Sequence, residues 1–118
     1  MPLSYEMYNG QEYTYINYSG LQGDALVAEV KKVTAEAQAK HKGGKAKVFI
    51  DVTNSVINSE ALDAMKTTTS GSKDIVDKMA IIGVTGVKKL FADIVAKFSG
   101  TNLKYFDTKE QALKWLFE

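Results

Sequence analysis

The feature that most constrains the fold is a repeated switch in the spacing of apolar side chains. Spacing at every second residue is typical of strands, and spacing at every third or fourth residue is typical of helices. The chain changes between these two patterns several times within 118 residues. Strands that alternate with helices need crossover connections, so we predict a mostly parallel sheet with helices packed on it. At this length we expect a single domain over residues 1–118.

Five segments have the composition of strands. The first two, LSYEMY and EYTYINYS, are rich in tyrosine and flank the turn signal NGQ, which predicts an N-terminal antiparallel hairpin. The other three, AKVFIDV, KMAIIGV and NLKYF, are short and apolar, as buried parallel strands are. We therefore predict a mixed, mostly parallel sheet of four or five strands.

Helical spacing first appears after the hairpin. We predict a helix with Asp24 as its N-cap and with Gly43 and Gly44 at its end. Its apolar face comprises Leu26, Val30, Val33 and Ala37. A second helix begins near Ser59. We expect it to give way to a loop over residues 67–73, because hydroxyls and glycine disfavour a helix there.

Two further helices bring the predicted number to about four. One extends over residues 87–98, and Thr85 caps it. The last follows Thr108 and Gln111, whose spacing fits a capping box. The predicted order of elements is ββαβαβαβα.

Composition excludes several classes of function. The net charge is +1, from 15 basic and 14 acidic residues, so we expect neither nucleic acid nor an anionic membrane as the main partner. Without cysteine there is no disulfide or thiolate chemistry, which favours a cytoplasmic location. No apolar run reaches the ~20 residues of a membrane helix. The first ten residues lack the pattern of a secretory signal.

The most informative stretch is VTNSVINSEAL, residues 52–62. It follows a predicted strand and leads into a helix, where open α/β sheets bind ligands and where backbone N–H groups attract anions. It holds most of our candidate binding residues, which are Asp51, Thr53, Ser55, Asn58, Ser59, Glu60 and Thr85. The alternative interpretation is structural: Asn58 or Ser59 caps the helix and the other hydroxyls bond within the turn.

The sequence offers no catalytic or metal-binding set. Asp51 has no second carboxylate near it for acid–base work and fits a hydrogen bond to the adjoining turn. His41, the single histidine, fits a solvated helix end. The GVTG motif that begins at Gly83 is a weak phosphate-binding signal, which close backbone packing explains. We expect no catalytic residue, metal or cofactor.

The C-terminal third resembles a known family. KMAIIGVTGVKKLFADIVAKF followed by LKYFDTKEQALKWL is similar to the C-terminal half of the SpoIIAA-like proteins, which have STAS or CRAL-TRIO type folds. The resemblance is strongest over residues 79–118 and extends to the rest of the chain through the order of elements. It implies a mixed sheet of four or five strands with helices mainly on one face.

The resemblance also implies a regulatory role. In the anti-sigma factor antagonists of this group, a partner kinase phosphorylates a serine in the motif Asp-Ser-Ser-Gly-Leu. The matching residues here are NSEAL, in which Ser59 matches the first serine and Glu60 takes the place of the phosphorylated one. Asn58 and Ala61 replace the aspartate and the glycine. Ser59 is therefore the candidate phosphoacceptor.

Two hypotheses for function follow. The first is a non-catalytic regulatory module that binds a protein partner, such as a kinase or a sigma-regulatory protein, through the loop and helix after the third strand. The second is a carrier of a small apolar ligand or lipid, of CRAL-TRIO type. We rank the first higher because 118 residues leave little volume for a lipid cavity.

Overall fold

The structure, a computed structural model, describes residues 3–40, 46–56, 58–71, 76–84, 93 and 102–118. These residues form one α/β domain with a single mixed sheet. Its strands are β1 (Leu3–Tyr8), β2 (Gln11–Asn17), β3 (Ala46–Asp51), β4 (Val76–Ile82) and β5 (Leu103–Phe106). The helices within these residues are α1 (Gly23–Lys40), α2 (Ser59–Gly71) and α3 (Lys109–Leu116).

The sheet follows the order of the chain, β1-β2-β3-β4-β5, with β1 antiparallel to β2 and all other pairs parallel. Asn9 and Gly10 form the hairpin turn, with φ of 49° and 82°. Positive φ at both central residues matches the twist of the two strands, so the predicted hairpin is confirmed. The four parallel strands end in one row across the sheet, at Asn17, Asp51, Ile82 and Phe106.

One face of the sheet packs against α1 and α2, which also contact each other. Its core is mainly aliphatic. Leu26 and Val30 of α1 and Ala61 of α2 are almost fully buried on it. The strand residues buried on this face are Leu3, Ile16, Ala46, Val48, Val76, Met79 and Ile81. We call it the α1/α2 face.

The opposite face packs against α3, and its core is mainly aromatic. Phe49 is fully buried there, beneath Leu113 and Leu116 of α3. The aromatic side chains on this face are Tyr8, Tyr13, Tyr15, Phe49, Phe106, Trp115 and Phe117. We call it the α3 face. Helices therefore lie on both faces of the sheet, with two of the three described helices on one.

The sequence predicts about four helices, and the described residues contain three. The predicted helix over residues 87–98 and its cap Thr85 lie outside the described residues, apart from Asp93. The observed order of elements, ββαβαββα, differs from the prediction by that helix. Gly43, Gly44 and His41 also lie outside the described residues.

The predicted loop over residues 67–73 is wrong as far as Gly71, because α2 continues to that residue, and residues 72–73 lie outside the described residues. Threonine, serine and glycine have low helix propensity, but each contributes less than about 1 kcal/mol per residue. The preceding turns of α2 are anchored by Ala61, Ala64 and Met65 on the α1/α2 face. Once those turns are fixed, each added residue gains a hydrogen bond, so tertiary packing outweighs local propensity.

Of the other two helices, one begins at its predicted cap and one does not. The hydroxyl of Thr108 accepts a hydrogen bond from the backbone N–H of Gln111 at 3.2 Å, so Thr108 is the N-cap of α3 as predicted. Helix α1 begins at Gly23, so the prediction that Asp24 is its N-cap is wrong. Asp24 therefore lies in its first turn, where a carboxylate still complements the helix dipole.

Candidate functional site

Neighbouring strands β2 and β3 end with the same local hydrogen bond. The side chain of Asp51 accepts a bond from the backbone N–H of Thr53 at 2.8 Å, and Asn17 accepts one from Ser19 at 2.9 Å. Aspartate and asparagine favour this turn because their short side chains reach the N–H two residues ahead. The carboxylate of Asp51 is thus used by the adjoining turn, as the structural interpretation predicted.

The loop that follows β3 comprises residues 52–58, of which Ile57 lies outside the described residues. Backbone hydrogen bonds hold it at Thr53 and at Val56. Gly20 donates its N–H to the carbonyl of Thr53 at 3.0 Å. Val56 donates its N–H to the carbonyl of Leu21 at 3.0 Å. Since these bonds join the loop to the connection between β2 and α1, its backbone is fixed before any partner arrives.

Two adjacent residues of this loop point in opposite directions. Ser55 is buried, and its hydroxyl donates to the carbonyl of Val52 at 2.7 Å. Val56 is 54% exposed, although valine is among the residues most often buried. Ser55 therefore stabilises the turn, while Val56 exposes an apolar surface to solvent.

Asn58 caps helix α2. Its side-chain oxygen accepts a hydrogen bond from the backbone N–H of Ala61 at 2.8 Å, which satisfies one of the free donors of the first turn. Ser59 and Glu60 are the first two residues of the helix, and both are exposed. Of the two predicted caps the structure selects Asn58, and Ser59 stays accessible.

Gly83, just after β4, lies directly against the loop. Its φ is +85°, and a Cβ at this position would overlap the backbone N and the hydroxyl of Thr53. A side chain would thus meet steric overlap as well as a disfavoured backbone conformation. The predicted close backbone packing is confirmed for Gly83. Gly86 lies outside the described residues, as does Thr85.

The candidate binding residues are therefore distributed unequally. Thr53, Asn58, Ser59 and Glu60 form one exposed group at the carboxyl edge of the parallel strands, with Asp51 half-buried beneath them. The sequence did not single out the exposed Asn54 and Val56 that lie among them. The alternation of exposed and buried residues in this loop follows from its turns, and no periodicity in the sequence carries that signal.

A second feature lies at the ends of β4 and β5. A cleft of about 280 Å³ is lined, among the described residues, by Val84, Tyr105, Phe106 and Asp107. The hydroxyl of Tyr105 is buried and has no hydrogen-bond partner in the described part of the chain. Burial, together with the carboxylate of Asp93, raises the pKa of Tyr105 to about 12.

The described residues also limit the chemistry of the chain. They contain no group of three or more histidine, aspartate or glutamate side chains placed to hold a metal ion. Every helix among them is too short or too polar to traverse a lipid bilayer.

A solved structure shares this arrangement of sheet and helices. It is the crystal structure of an uncharacterised protein of the DUF3478 family from Shewanella loihica PV-4, described as having a SpoIIAA-like fold. The two superpose with a TM-score of 0.74 over 97% of this chain and 91% of that chain. Their sequence identity is 19%, so the likeness shows a SpoIIAA-like fold and nothing further.

The sequence itself identifies the family. The SpoIIAA-like family model matches residues 16–117. This protein therefore belongs to the SpoIIAA-like family, as the resemblance of its C-terminal third predicted. No curated protein matches the chain.

Proposed function

We propose that this protein is a non-catalytic regulatory module of the STAS type, which binds a protein partner through the loop of residues 52–58 and the first turn of α2. The observation that carries this proposal is Val56, an apolar side chain that is 54% exposed on a loop fixed by backbone hydrogen bonds. Thr53, Asn54 and Asn58 are exposed beside it in sequence. An apolar centre with a polar rim is the usual composition of a protein interface.

The rigidity of the loop supports the same conclusion. Ordering a flexible loop on binding opposes association, and a fixed loop avoids that loss of entropy. Gly83 packs closely against Thr53 and so limits its movement. The backbone hydrogen bond between Val56 and Leu21 holds the loop at Val56. The surface is thus already in one conformation when the partner arrives.

Binding without catalysis fits the side chains on this surface. The exposed hydroxyls of Thr53 and Ser59 are accompanied by amides and by Glu60, while the described residues here include no imidazole or thiol. A hydroxyl needs a neighbouring base before it can act as a nucleophile. Hydroxyls and amides do make hydrogen bonds across interfaces.

Phosphorylation of Ser59 is the regulatory form of this proposal. Ser59 is exposed at the first position of α2, where the helix dipole favours a phosphate. Glu60 opposes it through like-charge repulsion. Incubation with host kinases and radiolabelled ATP should label the wild type but not Ser59→Ala. The regulatory form fails if neither protein is labelled.

The binding surface is tested by a matched pair of substitutions. Val56→Asp places a charge at the centre of the proposed interface, while Met7→Asp does the same to a side chain that is 63% exposed on β1. A partner recovered by pull-down and then purified should bind Val56→Asp at least about tenfold more weakly, since a central apolar contact dominates affinity. Met7→Asp should bind as the wild type does. Equal affinities of all three proteins would remove the loop from the interface.

The cleft at β4 and β5 is the observation that bears on the second candidate, a carrier of a small ligand, and its described lining is more polar than apolar. Its volume of about 280 Å³ is near the lower limit of ligand pockets, so it suits a small compound better than a lipid chain. Native mass spectrometry of protein purified from its host tests the idea. A mass equal to that of the protein alone, without a bound ligand, counts against it.

A further inference from the structure

A second surface, separate from the loop of residues 52–58, is built around Trp115 on the α3 face. The ammonium of Lys78 lies 4.9 Å from the centre of the indole, and that of Lys104 lies 5.5 Å from it. Phe106 packs against the same indole, with ring centres 5.6 Å apart. We call these four residues the Trp115 surface.

The two lysines differ in how they are held. Lys78 donates a hydrogen bond to the backbone carbonyl of Trp115 at 3.0 Å and is half-buried. Lys104 is exposed on the edge strand β5. Two positive charges therefore share one aromatic ring, and each repels the other. A negative group placed between them would remove that repulsion.

Two other lysines in the described residues form ion pairs with acids. Lys40 contacts Glu12 at 2.8 Å, and Lys47 contacts Asp77. Neither Lys78 nor Lys104 has a carboxylate partner among the described residues. The Trp115 surface is thus a positive site in a chain whose net charge is only +1. We propose that it binds an acidic segment of a protein partner, whose carboxylates pair with Lys78 and Lys104.

The geometry favours an acidic peptide over other anions. Nucleic-acid bases need an open aromatic face for stacking, whereas the lysines and Phe106 already occupy positions around the ring of Trp115. Stable membrane binding usually combines positive charge with an exposed apolar side chain that inserts. The large apolar residues exposed in the described part of the chain are Met7 and Val56, and neither belongs to this surface.

The chain provides its own reporter for a test, since Trp115 is its single tryptophan. Hexaglutamate peptide is titrated into the full chain, and the fluorescence of Trp115 is followed at low and at high salt. We expect a saturable change whose Kd rises with salt. The double variant Lys78→Gln/Lys104→Gln should bind about five- to tenfold more weakly, because it loses two ion pairs with the peptide, one at a half-buried lysine and one at an exposed lysine.

Lys31→Gln/Lys32→Gln is the matched control, because it removes the same charge from exposed positions on α1. It should change Kd by less than about twofold, since these charges are remote from the surface and screened. Circular dichroism shows whether the double variant Lys78→Gln/Lys104→Gln is folded. If it is not, the single variant Lys104→Gln replaces it, and its affinity for hexaglutamate should fall about threefold.

Three results would overturn the proposal. The first is the absence of a saturable response to hexaglutamate at low salt. The second is an equal loss of affinity in the control, which would make net charge the cause. The third is binding of oligothymidylate or of phosphatidylserine vesicles to the wild type without binding of hexaglutamate, which would assign the surface to a nucleic acid or a membrane.

Discussion

The two faces of the sheet achieve burial in different ways. The α1/α2 face is filled with aliphatic side chains beneath helices of 18 and 13 residues. The α3 face is filled with aromatic side chains beneath a helix of eight residues. One aromatic side chain buries about 150–250 Å², so a few rings replace many aliphatic groups. A short helix is therefore sufficient where the rings are large.

The difference extends to the surfaces of the two faces. On the α3 face lysines cover the edges of the aromatic cluster, with Lys109 lying 4.6 Å from the ring centre of Tyr15. Lysine can do this because its apolar stem packs on the ring while its ammonium remains in water. On the α1/α2 face Lys40 also lies over a ring, that of Tyr5, but it is paired with Glu12. The lysines over the rings of the α3 face have no such ion pair among the described residues, which is why that face carries a candidate binding surface.

The largest expected effect compares the centres of the two faces. Phe49→Ala should lower the free energy of unfolding by about 3–5 kcal/mol, and Leu26→Ala by about 2–5 kcal/mol. Both side chains are fully buried. We expect Phe49→Ala to be the more damaging, because a helix of eight residues has few other contacts with which to stay docked. Urea denaturation measures both values.

The control for this pair is Lys31→Ala, an exposed substitution that should stay within about 0.5 kcal/mol of the wild type. A greater loss from Leu26→Ala than from Phe49→Ala would show that the α1/α2 face, and not the aromatic face, limits stability.

The next effect concerns the carboxyl ends of the parallel strands, at the edge of the sheet that both faces share. Gly83→Ala should destabilise by about 2–4 kcal/mol, because the new methyl group overlaps Thr53 and φ is unfavourable. Gly10→Ala has a similar φ of +82° but open space around it, so it should lose only about 1 kcal/mol. The difference isolates the steric overlap, and equal losses would refute the close contact.

A smaller effect compares the entries into the helices of the two faces. Asn58→Ala and Thr108→Ala each remove a side-chain acceptor from a helix N-terminus. Each should destabilise by about 1 kcal/mol in thermal or urea unfolding. Asn58→Ser and Thr108→Ser should retain most of the stability, since serine caps equally well. Wild-type stability in either alanine variant would contradict the assignment of that cap.

The smallest effect appears only in alkali. Burial raises the pKa of Tyr105 to about 12, above its ordinary value of 10.0. The folded state therefore favours the protonated phenol. Its contribution to the free energy of unfolding is fully present below pH 10 and is lost as the pH rises toward 12. Tyr105→Phe should flatten this part of the stability profile. If the stability of the variant and of the wild type depended on pH in the same way above pH 10, the raised pKa of Tyr105 would be refuted.

Much of the fold could be predicted from local pattern. The strand LSYEMY matches β1 residue for residue, and the Thr108 cap follows from its spacing to Gln111. The extension of α2 to Gly71 could not be predicted, because the low propensity of its threonines is overcome by packing of the earlier turns. Nor does the local pattern assign each helix to a face, since that depends on the path of each crossover.

The candidate site was predictable in position but not in detail. The cluster of hydroxyl and amide residues marked the turn after β3, which the structure places at the row of strand ends. The sequence left open whether Asn58 or Ser59 capped the helix, and the geometry of α2 decided for Asn58. Val56 was not singled out, because its exposure results from the path of the loop, including the positive φ of 60° at Asn54.

The sequence by itself determined the alternation of strands and helices, the hairpin at Asn9 and Gly10, and the family to which the chain belongs. Those properties depend on neighbouring residues and on their periodicity. Only the tertiary structure decided which helix covers which face, which hydroxyl is buried, and how Lys78 and Lys104 converge on Trp115. These depend on contacts between residues far apart in the chain, which no local pattern encodes.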